Sequence, residues 1–179
     1  MTNSLYGAGV EYALHSLLIL ATQTRPISVA DLASLQGIPE KFLAKLFTRM
    51  KKAGLVQATE GIAGGFTLAR SPEAIPMLDA IQAVDPDRYL FACLEIRRSC
   101  TLFGETPPSW AITGPCRIHA FMQEAERSLL EFFASRTLAD IVHEFSCKAP
   151  ASFGEEVEAW FQQRRQDRSR RRPSPGQKP

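Results

Sequence analysis

Apolar residues recur at helical spacing along the first part of the chain. Leu5, Val10, Leu14, Leu17, Leu18 and Ala21 fit a helix over residues 5–23, which Arg25-Pro26 ends. The following SVAD places a hydroxyl, Ser28, before a second, short helix and an acid three positions on, and Gly37 closes that helix. Pro39 is tolerated at the start of a third helix, which runs to about Ala53. There Phe42, Leu43, Leu46 and Met50 form an apolar stripe, while Lys41, Lys45, Arg49 and Lys52 lie away from it. Gly54 is a natural stop. Two extended segments, 55–58 and 66–69, flank GIAGG, a glycine-rich turn suited to a hairpin. Helices are then expected at 76–84 and 86–98, with an irregular stretch over 99–115. A long helix follows over 116–135, in which Ile118, Phe121, Met122, Ala125, Leu129, Leu130 and Phe133 recur at three and four residues. TLAD starts a short helix at Thr137, and Ser152 with Glu155 can cap a last one bearing Val157, Trp160 and Phe161. No internal repeat is visible.

Three helices followed by a small hairpin predict a mainly α fold, a winged helix-turn-helix with a β-hairpin wing. Its 179 residues, 45% of them hydrophobic and 22% charged, suffice for one medium domain or a small domain with appendages. No apolar run approaches the roughly 18 residues of a membrane span. The N-terminus lacks the basic-then-apolar pattern of a secretory leader, so a cytoplasmic protein with no membrane partner is expected.

Net charge changes this picture only locally. The whole-chain +2 conceals a tail from Gln162 with six arginines and one lysine against one aspartate, and a body with four more acids than bases. The tail reads as disordered, because arginine, serine and proline bury no core. Within the acidic body, residues 36–61 carry five bases against two acids. Double-stranded DNA is therefore the expected partner. Ser28, Pro39, Glu40, Lys41, Lys45 and Arg49 form the candidate reading head, with Gly61, Gly64 and Gly65 bringing the wing close to the backbone or minor groove. The plainer reading is a basic helix face that is merely solvated.

Four cysteines, Cys93, Cys100, Cys116 and Cys147, are candidates for metal or redox chemistry rather than disulfides in a cytoplasmic chain. Cys116 opens a helix, where an anion is favoured and a thiol acidified. The spacing matches neither a zinc finger nor a ferredoxin, so buried, inert thiols remain an alternative. Cys147 lies in a linker-like region and looks incidental. Glu11 and His15, four apart on the first helix, share a face on which they can bind one metal ion or remain ordinary side chains. Cys116 and His119 could pair as thiol and imidazole, but no orienting residue, oxyanion motif or phosphate loop accompanies them, so an enzyme is not expected. The Trp160/Phe161 helix and arginine tail offer, at most, an added protein-interaction surface.

The stretch FLAKLFTRMKKAGLVQATEGIAGGFTLARSPEAI resembles the recognition helix, wing and exit of the Rrf2 (IscR/NsrR-like) family of iron–sulfur winged-helix transcription regulators. The similarity extends from about Gly9 to Val142 and includes EIRR after the first cysteine, PC opening the long helix, and TLAD after it. GVEYALH resembles the redox-sensitive RsrR-like branch. The resemblance implies a homodimer whose long helix crosses its partner. It divides the chain into a winged helix-turn-helix over 1–84, a cysteine loop and dimerisation helix over 85–145, and an extension over 146–179. It also implies an iron–sulfur cluster, of 2Fe–2S type, with Cys100 and Cys116 from one subunit and Glu11 and His15 from the other, Cys93 being the alternate thiolate. The same fold with structural zinc or a cluster-free thiol switch is the second expectation. Two features depart from the family. Glu60 stands where many relatives carry arginine, and an acid does not enter the negative minor groove favourably. The close cysteine trio of many relatives is also absent, since fifteen residues separate Cys100 from Cys116.

Overall fold

A computed structural model describes residues 5–61, 64–87 and 89–170. Helix α1 (Ala8–Ala21) packs Val10, Ala13, Leu17 and Leu20 inward. The buried face is rotated from the predicted stripe: Leu5 is exposed and Leu14 and Leu18 are only partly covered. Helix α2 (Val29–Gln36) is capped by Ser28, whose side chain accepts from the Asp31 N–H, and ends at Gly37 in the left-handed conformation. Helix α3 (Glu40–Lys52) buries Leu43, Leu46, Phe47 and Met50. Phe47 thus takes the core position expected of Phe42, which stays 42% exposed and meets Tyr12 of α1 edge-on at 5.8 Å.

Strands β1 (Val56–Thr59) and β2 (Gly65–Leu68) form an antiparallel hairpin. Ile27 joins it through reciprocal backbone bonds with Phe66, N–H to O at 3.0 and 2.8 Å, which ties the start of α2 to the base of the wing. After a 3-10 turn at Pro72–Ala74, helix α4 (Met77–Val84) packs on α1 and α3. The helix expected over 86–98 does not form; among the described residues only Ile96–Ser99 winds, as a 3-10 turn. Within that span Glu95 sits at φ 52°, outside any right-handed helix. A second 3-10 turn (Thr101–Phe103) and the one-turn helix α5 (Ser109–Ile112) punctuate the loop.

Helix α6 (Arg117–Ser135) follows, then α7 (Leu138–Lys148) behind a reciprocal capping box between Thr137 and Asp140. Cys147 therefore lies on a helix, not in a linker. Helix α8 (Ala151–Arg170) starts one residue before its expected cap. It also corrects the reading of the basic segment, which is helical to Arg170; residues 171–179 lie outside the described residues. Val157 and Phe161 of α8, with Leu138 of α7, join the same core as α1–α4. Arg164 and Arg168 reach the buried Asp31 of α2, a partner more than 130 positions away that local composition cannot reveal.

Candidate nucleic-acid interface and metal centre

Helices α2 and α3 meet through a short turn, and the buried stripe of α3 fixes which face is left open. Pro39, Glu40, Lys41 and Lys45 are exposed there, together with Lys51 and Lys52. Glu40 at the first turn and Arg49, Lys51 and Lys52 at the last complement the helix dipole. Arg49 is not a free cation on that face: its Nη1 donates to the Val84 carbonyl at 2.7 Å and holds the end of α4. Ser28 is likewise engaged, accepting from the Asp31 N–H and from Arg168 Nη1, each at 3.1 Å.

The wing glycines have steric work of their own. A Cβ on Gly64 would stand 2.3 Å from the Thr59 carbonyl oxygen, and one on Gly65 would stand 2.4 Å from the Ile27 carbonyl. Gly65 is therefore required for the strand to approach Ile27, whatever the wing contacts. Gly61 is exposed with φ 106°, at the turn entry. Ile62 and Ala63 lie outside the described residues.

Glu11 and His15 are both exposed on α1. They border an open groove of about 520 Å³ whose apolar lining includes Val10, Leu14, Leu18, Met77, Leu138 and Ile141. Leu14 and Leu18, the sequence-predicted core positions that stay partly bare, belong to this groove.

The cysteine loop forms a second centre. Cys116 is the N-cap of α6, and its thiol is pushed below the ordinary cysteine range. The backbone N–H of His119 is the main cause, outweighing the opposing effect of burial, with help from the Ile118 N–H and the positive charge of Arg97. Arg97 forms a fork with Glu95, Nη2 to Oε2 at 2.9 Å, and its Nη2 also donates to the Gly114 carbonyl at 3.3 Å. That Glu95 bond chiefly raises the Arg97 pKa, and the charges of Cys116 and Cys93 add to it. Arg97 thus feels the charge of both Cys93 and Cys116. His119 packs near Phe91, and its Nδ1 is buried with no hydrogen-bond partner among the described residues. All four cysteines are free thiols.

Within one chain the predicted ligands do not converge. Among the described residues no three His, Cys, Asp or Glu side chains come close enough to hold a metal ion. The donor chemistry nonetheless suits an iron–sulfur cluster: an acidified, half-buried thiol, further free thiols on the same loop, and a carboxylate–imidazole pair on an exposed helix face. Glu95 and Arg97 are the neighbours that spacing alone did not bring out. Glu95 adopts the left-handed conformation, φ 52°, at the start of the EIRR segment, and nothing in the local pattern signals it.

A three-helix unit with a hairpin wing and a basic, exposed face on its third helix defines a winged-helix DNA-binding protein. The chain belongs to the Rrf2 family, described as iron-dependent transcriptional regulators, whose profile matches residues 6–144. It is a family of transcription regulators and not of enzymes. Protein rrf2 of Nitratidesulfovibrio vulgaris is 30% identical over 147 residues, covering 81% of this chain and 87% of that one. The HTH-type transcriptional regulator IscR of Klebsiella pneumoniae is 29% identical over 134 residues, covering 74% and 76%. Among solved structures, T. potens IscR superposes with a TM-score of 0.62 at 24% identity, covering 82% of this chain and 91% of that one, and supports the fold. No helix among the described residues is long and apolar enough to cross a membrane.

Proposed function

We propose that the chain acts in the cytoplasm as a homodimeric regulator whose affinity for a DNA operator follows the redox state of a 2Fe–2S cluster, as in the RsrR-like branch. Cys116 with Cys93 or Cys100 from one protomer, and Glu11 with His15 from its partner, hold the cluster. The observation that carries this reading is the acidified Cys116 at the root of α6, a 19-residue helix with no buried residue of its own. Ile118, Phe121 and Phe132 on α6 are 65%, 68% and 60% exposed, a bare apolar face that a second protomer can cover.

A bound cluster supplies one-electron chemistry, at a potential that imidazole ligation raises above that of an all-thiolate site. The chain's own residues do the rest. The N–H groups of Ile118 and His119 hold negative charge on the Cys116 sulfur. The Glu11 carboxylate and His15 imidazole would supply one oxygen and one nitrogen donor. Tyr12, next to Glu11, meets Phe42 of the recognition helix edge-on, and Gly9 brings α1 against Leu46, where a Cβ would stand 3.5 Å from the leucine. A shift of α1 is thus passed to α3 by direct contact.

Anaerobic purification followed by absorption spectroscopy and iron and sulfide analysis tests the reading. A coloured protein with about two iron and two sulfide per site is expected. Colourless protein with stoichiometric zinc would establish the structural-metal alternative, and metal-free protein the thiol switch. A second ligand set is favoured by one observation, the buried His119 Nδ1 with no hydrogen-bond partner among the described residues, which would place an imidazole ligand in the first turn of α6, three residues from Cys116.

A further inference from the structure

The arginine-bearing end of α8 lies beyond the family-matched residues, yet it is built into the helix-turn-helix. Val157 lines a cavity with Leu35, Gln36 and Ile38 at the far end of α2, whereas Arg164 and Arg168 meet Asp31 and Ser28 at its near end. Helix α8 therefore runs back along α2 in the opposite sense. Arg164 Nε donates to Asp31 Oδ1 at 3.2 Å, Arg168 Nη1 donates to Asp31 Oδ2, and the Arg164 guanidinium stacks on Trp160 at 5.4 Å. These two arginines point inward and fix the helix.

The other side of the same turns faces outward. Arg25, Gln162, Arg165, Gln166, Ser169 and Arg170 line a shallow groove between the end of α1 and the end of α8. Every one of these side chains can donate a hydrogen bond, and no carboxylate is among them. Glu158 satisfies Arg165 from one side at 3.0 Å; Arg25 and Arg170 are exposed. Arg168, on the same turns of α8, donates to Ser28 at the N-terminus of α2. That helix crosses the DNA backbone in a helix-turn-helix, and its N-terminal end favours phosphate. Arg170 stands about 3 Å further along the α8 axis than Arg168, towards that end.

We propose that this groove is a third DNA-contacting element, besides α3 and the wing, and that it takes a backbone phosphate flanking the bases read by α3. The inference rests on the DNA-binding reading and extends the footprint of each protomer outward. Phosphate contacts of this kind carry no base specificity, so they strengthen binding to any duplex.

The test uses the full-length protein, tail included, and a 30-base-pair duplex of random sequence, with affinity measured by fluorescence anisotropy from 50 to 200 mM KCl. In R25Q/R170Q the log–log salt slope is expected to become shallower by about 0.9 for each phosphate that is no longer neutralised, with affinity at 100 mM salt falling about three- to tenfold. R127Q/K148Q, which removes the same charge from exposed positions on α6 and α7, is expected to keep the wild-type slope. Thermal melting of both variants within about 2 °C of wild type shows that the fold is retained. An unchanged slope in R25Q/R170Q overturns the proposal, as does an equal weakening in R127Q/K148Q. Failure of the unsubstituted protein to bind any duplex overturns instead the DNA-binding reading beneath it.

Discussion

Asp31 is 2% exposed and holds two guanidiniums that arrive from the last described turns of the chain. A carboxylate so placed would prefer to be neutral, since burial is the largest single influence on it and raises its pKa. The hydrogen bonds with Arg168 and Ser28, the charge of Arg168 and the bond from Arg164 together outweigh burial, and the pKa ends below the ordinary aspartate value. A depressed folded-state pKa contributes stability that is complete above the unfolded value, about 4, and is lost as pH falls through the folded one. Asp31→Ala is therefore expected to cost about 2 kcal/mol at neutral pH, because it strips hydrogen bonds from two partly exposed arginines. The gap in Tm between wild type and variant should hold constant from pH 7 to about 5 and narrow below about 4. A gap that instead widened in acid would show that Asp31 is not ionised in the folded protein.

At the scale of elements, α6 invites the next test. Its apolar face continues from Ile118 and Phe121 to Phe132, on a helix that carries polar residues elsewhere. If this face pairs with its copy, F121E/F132E buries charge where the partner offers none. That should move the protein from dimer to monomer by analytical ultracentrifugation at micromolar concentration, and weaken operator binding at least tenfold. Helicity should be unchanged, because neither residue is buried within its own chain. The elements that were legible in the sequence are those with local causes: the Ser28 cap, the Gly37 stop, the Thr137–Asp140 capping box and the glycine-rich hairpin. Where the cause is distant, the pattern misleads. Phe42 and Phe47 are equally apolar, and only the meeting of Phe47 with Phe66 of the wing, centroids 4.8 Å apart, decides which is buried. The last turns of α8 look too polar to fold until Asp31 is seen beneath them. In the candidate site, the acidity of Cys116 was legible from its place at a helix start. The charge of Arg97 acting on it was not, since Arg97 belongs to an irregular loop rather than a periodic element.

At the scale of the whole molecule, the basic elements and the cysteine loop belong to one scaffold. Helix α2 packs on α3, with its lysines, and is held at Ser28 and Asp31 by the arginines of α8, while the cysteine loop runs from the end of α4 to the root of α6. Glu11 and His15 border the groove on α1. Whether they complete the partner's site or leave ligation to Cys93, Cys116 and His119 of a single chain is decided by mixing subunits. Co-expression of an E11A/H15A chain with a C116A chain, each with its own affinity tag, yields heterodimers separable from both homodimers. If ligands cross between subunits, one site of the heterodimer keeps Cys116 from the first chain and Glu11 with His15 from the second, while the other site loses all three. Cluster content should then be about half that of wild type, although both variant homodimers are empty. Ligation within one chain gives a different pattern: the E11A/H15A homodimer stays fully loaded, and H119A empties the site in its place. An E11A/H15A homodimer with full iron and sulfide content would remove Glu11 and His15 from the ligand set.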